Sequence, residues 1–292
     1  MRAARLLGLT DGVASEDAQA GLARGFQLFV LLHVSARTLL WALKDDDHLA
    51  LRLMLPAGLA LCFLVAARRP AWARRATLAA LLLLSTKLFA SFPGTSNHFF
   101  IEYCCVALLT LCDLRDAGER ALALNAARWL MLIVLFWSGV QKVLYGTYFN
   151  AAFLGFSVAH KPSFAAVFAW LLPAEELARL QGLRATAVGS GPFAINAPLA
   201  RLVANGAYLF EIVAPCLLLW RRTRVWAVLA TIGFLVCIEA GARELMFGAL
   251  FVNLLLLFLP RPVNRVLLPG FAAFYAVLIA TRLGLLPKFQ FN

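Results

Sequence analysis

Long apolar runs alternate with short polar connections along most of the chain. A helix that crosses a bilayer needs about 20 mostly apolar residues. The pattern therefore predicts an all-α fold, a polytopic membrane helix bundle with about nine transmembrane helices. The predicted spans are roughly 25–43, 49–67, 76–92, 99–114, 124–146, 202–220, 225–242, 246–260 and 266–284.

Residues 1–24 have neither the apolar core nor the cleavage site of a signal peptide, so we predict a cytoplasmic amphipathic lead-in. Residues 25–292 are predicted to form a single transmembrane domain. One long connection, about 147–201, interrupts the alternation. Within it, Pro173 followed by two glutamates indicates a helix start. We interpret this connection as an amphipathic helix at the outer interface, with a plain surface loop as the alternative.

Basic residues are distributed unequally between alternate connections. If the N-terminus lies inside, every inner connection is basic. Arginine and lysine accumulate in cytoplasmic loops, so the predicted orientation is N-terminus in and C-terminus out. The basic residues of the inner segments are Arg2, Arg5, Arg24, Arg68, Arg69, Arg74, Arg75, Arg115, Arg120, Arg128, Arg221, Arg222, Arg224, Arg261 and Arg265.

The composition supports the membrane assignment. Hydrophobic residues make up 62% of the chain and charged residues only 14%, with a mean hydropathy of +0.81. A soluble domain of this size cannot bury so much apolar surface. The net charge of +12 does not indicate nucleic-acid binding, because the basic residues lie between apolar runs and do not line one polar face. The predicted partner is the lipid bilayer.

The cysteines do not suggest a metal site. None has the spacing of a zinc site, and all lie inside apolar segments, so a role in packing is predicted. They are Cys62, Cys104, Cys105, Cys112, Cys216 and Cys237.

Polar side chains within the predicted spans concentrate in the outer half. Ionisable groups in a bilayer are costly and normally face a polar cavity or each other. We therefore predict a polar cavity that opens to the extracytoplasmic side. Snorkelling to the headgroups is an equal alternative for Arg52 and Arg243, and structural ion pairing remains open for the charged residues deeper in the spans. The predicted cavity residues are Arg37, Lys87, Glu102, Tyr208, Glu211 and Glu239.

Lys142 ends one of the most apolar stretches, in the segment "FWSGVQKVLYGTYFN". At helical spacing it shares a face with Ser138, Gly139 and Gly146. Small residues there allow close helix packing or leave room beside the amine. Removal of an ammonium group from water favours its neutral form, which would make Lys142 a proton acceptor. On these residues alone, a helix-ending lysine that snorkels is the favoured alternative.

The same segment resembles the small-Gly-x-x-Lys element of the vitamin K-dependent γ-carboxylases and of their bacterial relatives, the HTTM-domain proteins. The resemblance implies that Lys142 is the base that deprotonates a reduced quinone of the vitamin K type. "TSNHFFIEY" is similar to the family's Asn-His pair and implies catalytic roles for Asn97 and His98. "YLFEIVAPCLLLWRRTR" resembles the family's acidic-centred helix and points to Glu211. The resemblance also implies a multi-pass protein of a bacterial-type inner membrane.

Two features depart from the carboxylase pattern. The family usually has a histidine where "FLVCIEAGARELMFGALF" carries Glu239. The chain also stops at Asn292 without the large lumenal β-rich domain, so carboxylation of a protein substrate is not implied. Shorter HTTM proteins resemble maturation factors of sporulation-delaying peptide toxins. A secreted peptide is therefore a candidate substrate.

Two classes of function follow. The first is a membrane enzyme that modifies a peptide or small substrate from the extracytoplasmic side. In it, Lys142 and His98 face one cavity, Lys142 takes a proton, and a neutral His98 imidazole donates a hydrogen bond to the developing anion. The second is a non-enzymatic partner or immunity protein, or a small transporter, for a secreted peptide. His98 and Glu102, at i and i+4, form a two-ligand candidate for a metal, but a metal is not predicted.

Overall fold

The computed structural model describes residues 16–44, 49–94, 96–185 and 191–287. Within these ranges the chain forms helices and connecting turns, with no strand, so the predicted all-α class is confirmed. Most of the predicted lead-in, residues 1–15, lies outside the described residues. The remainder belongs to the first helix, which begins at Glu16 and carries two acidic residues in its first turn, where they complement the helix dipole.

Twelve α-helices lie within the described residues. They are α1 (Glu16–Ala42), α2 (Leu49–Arg68), α3 (Ala73–Ser91), α4 (Asn97–Leu111), α5 (Ala117–Tyr145), α6 (Ala152–His160), α7 (Pro162–Phe168), α8 (Ala174–Gly182), α9 (Pro198–Leu219), α10 (Arg224–Ala242), α11 (Leu245–Leu256) and α12 (Val263–Arg282).

Five of these helices, α1, α5, α9, α10 and α12, are long and apolar enough to cross a membrane. Helices α4 and α11 are apolar but contain only 15 and 12 residues. The other two predicted spans coincide with α2 and α3. The length and apolar composition of these helices indicate a membrane-embedded protein. The number of nine spans and their orientation stay predictions.

The described residues group into two compact units. The first contains the described residues up to Leu130 and those from Ala249 onward, and the second contains those from Met131 to Gly248. The boundaries fall within α5 and within α11. The residues of the predicted single domain, 25–292, are therefore divided between two compact units.

Helix α1 is central to the first unit. It packs against α2, α4 and α12, and α3 packs between α2 and α4. The core along α1 includes Phe26, Phe29 and Val30, which have almost no exposed surface. Asn264 of α12 donates a hydrogen bond of 2.9 Å to the carbonyl of Leu22. This contact holds α12 against the buried face of α1. Helix α1 also carries the polar residues His33 and Arg37.

The long connection at 147–201 forms a helical layer in the second unit. It contains α6, α7 and α8, and α8 starts directly after Pro173, with Glu175 and Glu176 in its first turn. Leu180 and Ile195 are fully buried in a core that this segment shares with Ala204 of α9. The described part of the connection is therefore largely helical and is packed against α9. Its place at a membrane interface stays a prediction.

Candidate functional site

Lys142 and Glu211 form an ion pair between α5 and α9 in the second unit. The Nζ atom of Lys142 lies 2.5 Å from each carboxylate oxygen of Glu211 and 3.1 Å from the hydroxyl oxygen of Ser138. The Glu211 side chain is 5% exposed and that of Lys142 is 19% exposed. The amine therefore retains limited access from outside the protein, whereas the carboxylate is enclosed.

Two glycines explain why the ion pair forms at this point. A Cβ atom at Gly139 would lie 2.9 Å from the Tyr208 carbonyl oxygen and 3.0 Å from the Glu211 Cβ, so only glycine permits this approach of α5 to α9. Gly146 plays a different part from the one its spacing suggested. It follows the last residue of α5 and has φ of +68°, which is typical of a helix C-cap. It therefore turns the chain one helical turn after the lysine.

An aromatic side chain lies beside the Lys142 amine. Nζ of Lys142 lies 5.3 Å from the centroid of the Tyr148 ring, a distance at which a cation is attracted to the ring face. Burial and the nearby Glu211 charge raise the pKa of Tyr148, so this phenol stays neutral. Tyr208 donates a hydrogen bond of 2.9 Å to Asn205, and its ring packs edge-on against Phe149. The Tyr148 ring is thus the aromatic group in contact with the amine.

The pair can do chemistry as well as hold the helices together. The Lys142 amine and the Glu211 carboxylate lie at hydrogen-bond distance, so a proton can pass directly between them. The unit as a whole can accept one proton from an acidic group and then carries one positive charge beside the anion that forms. This is the capability expected of a membrane-embedded base.

Glu239 is the other predicted acidic residue of this unit. It lies near the end of α10. A Cβ atom at Gly248 would lie 2.9 Å from a carboxylate oxygen of Glu239 and 3.0 Å from its Cγ. The Glu239 side chain therefore packs against the first turns of α11. The end of α10 is held by a second contact, in which Ser163 of α7 donates a hydrogen bond of 2.6 Å to the Gly241 carbonyl.

Glu102 belongs to a separate polar network in the first unit. It lies on α4, is 2% exposed, and its Oε1 is 2.9 Å from Nε2 of His33. Arg37, one turn along α1 from His33, donates to the same oxygen and, through its other terminal nitrogen, to Ser96 at 2.9 Å. The predicted cavity residues Arg37 and Glu102 thus lie in direct contact as an ion pair.

Tyr275 completes this network. Its hydroxyl oxygen lies 2.7 Å from Nδ1 of His33, so both ring nitrogens of a fully buried histidine have partners. Tyr275 borders an apolar cavity of about 460 Å³ between α1, α2 and α12. Leu39 and Pro56 also line this cavity. The network therefore extends from Arg37 to the wall of an apolar cavity.

The amine of Lys87 lies over aromatic rings. Its Nζ lies 4.7 Å from the ring centroid of Trp41 and 5.1 Å from that of Phe99. The Arg52 guanidinium lies 5.7 Å from the centroid of the same tryptophan ring. Cation–π contacts of this kind attract a basic group to an aromatic surface.

Asn97 and His98 are the first two residues of α4. Asn97 is exposed and His98 is partly buried. They belong to the first unit, whereas Lys142 belongs to the second, so the predicted meeting of His98 and Lys142 at one cavity stays a prediction. Among the described residues, no group of three or more His, Cys, Asp or Glu side chains is arranged to hold a metal ion.

The sequence reasoning missed His33 and Tyr275. Both lie inside predicted spans, and a neutral histidine or tyrosine in an apolar run gives a weaker signal than a full charge. The available signal was the helical spacing of His33 and Arg37, which are four residues apart on α1 and therefore share a face. Lys142 and Glu211 were both predicted to be site residues, but their pairing was not.

Comparison with family models, with curated proteins and with solved structures found no match to this chain.

Proposed function

We propose that the chain is a multi-pass membrane enzyme that modifies a peptide or small substrate from the extracytoplasmic side, with Lys142 as the base. The observation that carries this proposal is the contact of Lys142 with both carboxylate oxygens of Glu211 at 2.5 Å, in a pair of which only the lysine is partly exposed. A base needs a route to its substrate and a partner that adjusts its protonation.

The proposed step is a proton transfer that needs no other reactant. The Lys142 ammonium passes one proton to the Glu211 carboxylate, which leaves a neutral amine and a neutral acid. The amine then takes the acidic proton of the substrate, so the substrate becomes an anion beside an ammonium group. Ser138, 3.1 Å from Nζ, fixes the amine in place by a hydrogen bond.

The substrate group is an acidic O–H or N–H that can reach the partly exposed amine. A hydroquinone belongs to this class, and the Tyr148 ring, 5.3 Å from the Lys142 amine, suits a flat aromatic substrate. A reduced quinone, when bound, would supply reducing electrons. The role of this chain's residues would be to take the phenolic proton and to stabilise the phenolate by the charge on Lys142.

The proposed topology has nine spans, with the N-terminus in the cytoplasm of a bacterial-type cell and the C-terminus outside. It is supported by the basic inner connections and by the five helices of spanning length. Alkaline phosphatase fused after Lys44 should be active, because that position is predicted to lie outside, and the same enzyme fused after Arg222 should be inactive. The opposite pair of activities would contradict this orientation.

The function is tested by the products that cells make. Extracellular peptides and small molecules from cells with wild-type chain or with Lys142→Arg are compared by mass spectrometry. Arginine retains the charge beside Glu211 but does not release its proton, so a wild-type-dependent product should fall by about 100-fold. Lys161→Arg, a matched change in the same unit, should leave the product unchanged. Full product with Lys142→Arg would remove the proposal.

The second candidate is a non-enzymatic partner, immunity protein or small transporter for a secreted peptide. The observation that favours it is that two buried carboxylates are paired with basic groups, Glu102 with Arg37 and Glu211 with Lys142. Such pairs also occur in purely structural networks. In that case, Lys142→Arg would leave every extracellular product unchanged. Peptide flux in proteoliposomes, or activity that is lost only when a partner protein is removed, would identify this role.

A further inference from the structure

A basic groove lies at one end of the first unit, where the turn between α2 and α3 meets the turn between α4 and α5. It encloses about 660 Å³ and is lined by Arg74, Arg75 and Arg115 together with the exposed Trp72. The wall continues over Leu78 and Leu111. In the predicted orientation this end faces the cytoplasm. The groove belongs entirely to the first unit.

The arginines of the groove are held in different ways. Arg74 donates to the carbonyl oxygens of Thr110 and Leu111, at 3.2 and 3.4 Å, so it links α3 to the last turn of α4. Arg75 lies 4.7 Å from the centroid of the Trp72 ring. These contacts hold the guanidinium groups of both arginines in place, although both residues are exposed. The positive charge is therefore pre-positioned at the groove.

The acidic residues near the groove lie outside its wall. Arg115 donates to Asp113 at 2.7 Å, and Arg74 lies 3.7 Å from the same carboxylate. The hydrogen bonds from Arg115 hold the pKa of Asp113 below its usual range, so Asp113 is ionised. Asp113 is not part of the groove wall. Glu119, which accepts a hydrogen bond of 2.5 Å from the Asp113 backbone N–H, also lies outside the wall. The groove wall itself therefore carries three guanidinium groups and no carboxylate.

The other half of the wall is apolar. Leu78 is 46% exposed and Leu111 is 71% exposed. Leu78 lies one turn along α3 from Arg74 and Arg75, and therefore on the same face, toward the middle of the helix. A free phosphate would leave these leucines uncovered, whereas an amphiphile would cover both the basic and the apolar half. Trp72, with its amphipathic ring, is typical of the level at which lipid headgroups meet the hydrocarbon.

From this arrangement we infer that the groove binds one anionic phospholipid, with its phosphate between Arg74, Arg75 and Arg115 and its acyl chains along Leu78 and Leu111. Guanidinium groups suit phosphate because they donate two parallel hydrogen bonds. Basic pockets between helices at the cytoplasmic side are a general form of lipid headgroup site. The bound lipid would tie the α2–α3 and α4–α5 turns together.

The inference is tested with the full chain, purified in detergent and titrated with short-chain phosphatidylglycerol, short-chain phosphatidylcholine and inorganic phosphate. Native mass spectrometry counts the bound lipids. Wild type should bind phosphatidylglycerol at least about tenfold more tightly than phosphatidylcholine, and the double variant Arg75→Gln/Arg115→Gln should weaken phosphatidylglycerol binding by about 25-fold, since each charge contributes about fivefold. Leu111→Gln should weaken lipid binding without affecting inorganic phosphate.

Arg68→Gln is the matched control, because Arg68 is exposed at the same end of the unit but does not line the groove. It removes one positive charge and should change the affinity for phosphatidylglycerol by less than about twofold. Three outcomes would overturn the inference. The first is equal affinity for the two lipids. The second is an equal loss of phosphatidylglycerol affinity with Arg68→Gln and with Arg75→Gln. The third is that inorganic phosphate displaces bound phosphatidylglycerol at the same concentration as added phosphatidylglycerol does.

Discussion

Gly139 of α5 faces the backbone carbonyl of Tyr208 on α9, and a Cβ atom at residue 139 would lie 2.9 Å from that oxygen. The two helices therefore meet at backbone level. Lys142 lies almost one turn after Gly139 on α5, and Glu211 lies almost one turn after Tyr208 on α9. The contact therefore places Lys142 beside Glu211. The pairing of the two charged residues depends on a position that has no charge at all.

Gly139→Ala should destabilise the protein. The added methyl would press on the Tyr208 carbonyl and on the Glu211 Cβ, neither of which can move without a shift of α9, and overpacking of this kind costs about 1–3 kcal/mol. The measurement is the thermal or denaturant midpoint in detergent. Gly206→Ala on α9 is the control, because a Cβ there would meet nothing within 4 Å. It should be neutral or slightly stabilising, and an equal loss for both variants would contradict the close approach.

Removal of the lysine should cost more than removal of its partner. Lys142→Met leaves the charge of Glu211, 5% exposed, without its partner, and an uncompensated buried charge costs roughly 3 kcal/mol or more. Glu211→Gln should cost less, because the 19% exposed lysine can turn toward water. Unfolding of both single variants and of Lys142→Met/Glu211→Gln forms a double-mutant cycle. Additive losses would show that the pair does not interact in the folded protein.

Tyr275→Phe tests the buried network of the first unit. It retains the ring and removes only the hydroxyl that contacts Nδ1 of His33 at 2.7 Å, so a buried polar atom loses its partner at a cost of about 1–3 kcal/mol. Tyr145→Phe is the control, because Tyr145 is 76% exposed and the change should lie within about 0.5 kcal/mol. Equal midpoints for the two variants would rule out a stabilising role for this hydroxyl.

Gly155→Ala should loosen the helical layer formed by residues 147–201. A Cβ atom at Gly155 would overlap the carbonyl oxygen of Phe193, so α6 would have to move away from the turn at residues 191–193. The expected result is faster cleavage within the segment in limited proteolysis and a loss of about 1–3 kcal/mol. For Gly182→Ala on α8, where a Cβ meets nothing within 4 Å, the cleavage pattern should match wild type. Unchanged cleavage of the Gly155 variant would show that the layer is not packed as described.

Parts of the candidate site were accessible from the sequence because they involve full charges in apolar runs. Lys142, Glu211, Glu102 and Arg37 stood out for that reason. His33 did not, although it links Glu102 to Tyr275 at distances of 2.9 and 2.7 Å. The bonds of the network join residues far apart in the chain, and no local pattern encodes which distant side chain a buried imidazole will meet.

The amino-acid sequence by itself determined the all-helical class, the positions of the apolar helices and the start of α8 after Pro173, since each depends on local hydrophobicity or on a nearby capping residue. Only the tertiary structure decided which charges meet. Lys142 contacts Glu211 because Gly139 lets α5 approach α9, and Arg37 contacts Glu102 because α1 packs against α4. The physical reason is that a buried charge selects its partner by distance and solvent exclusion, and helix packing sets both.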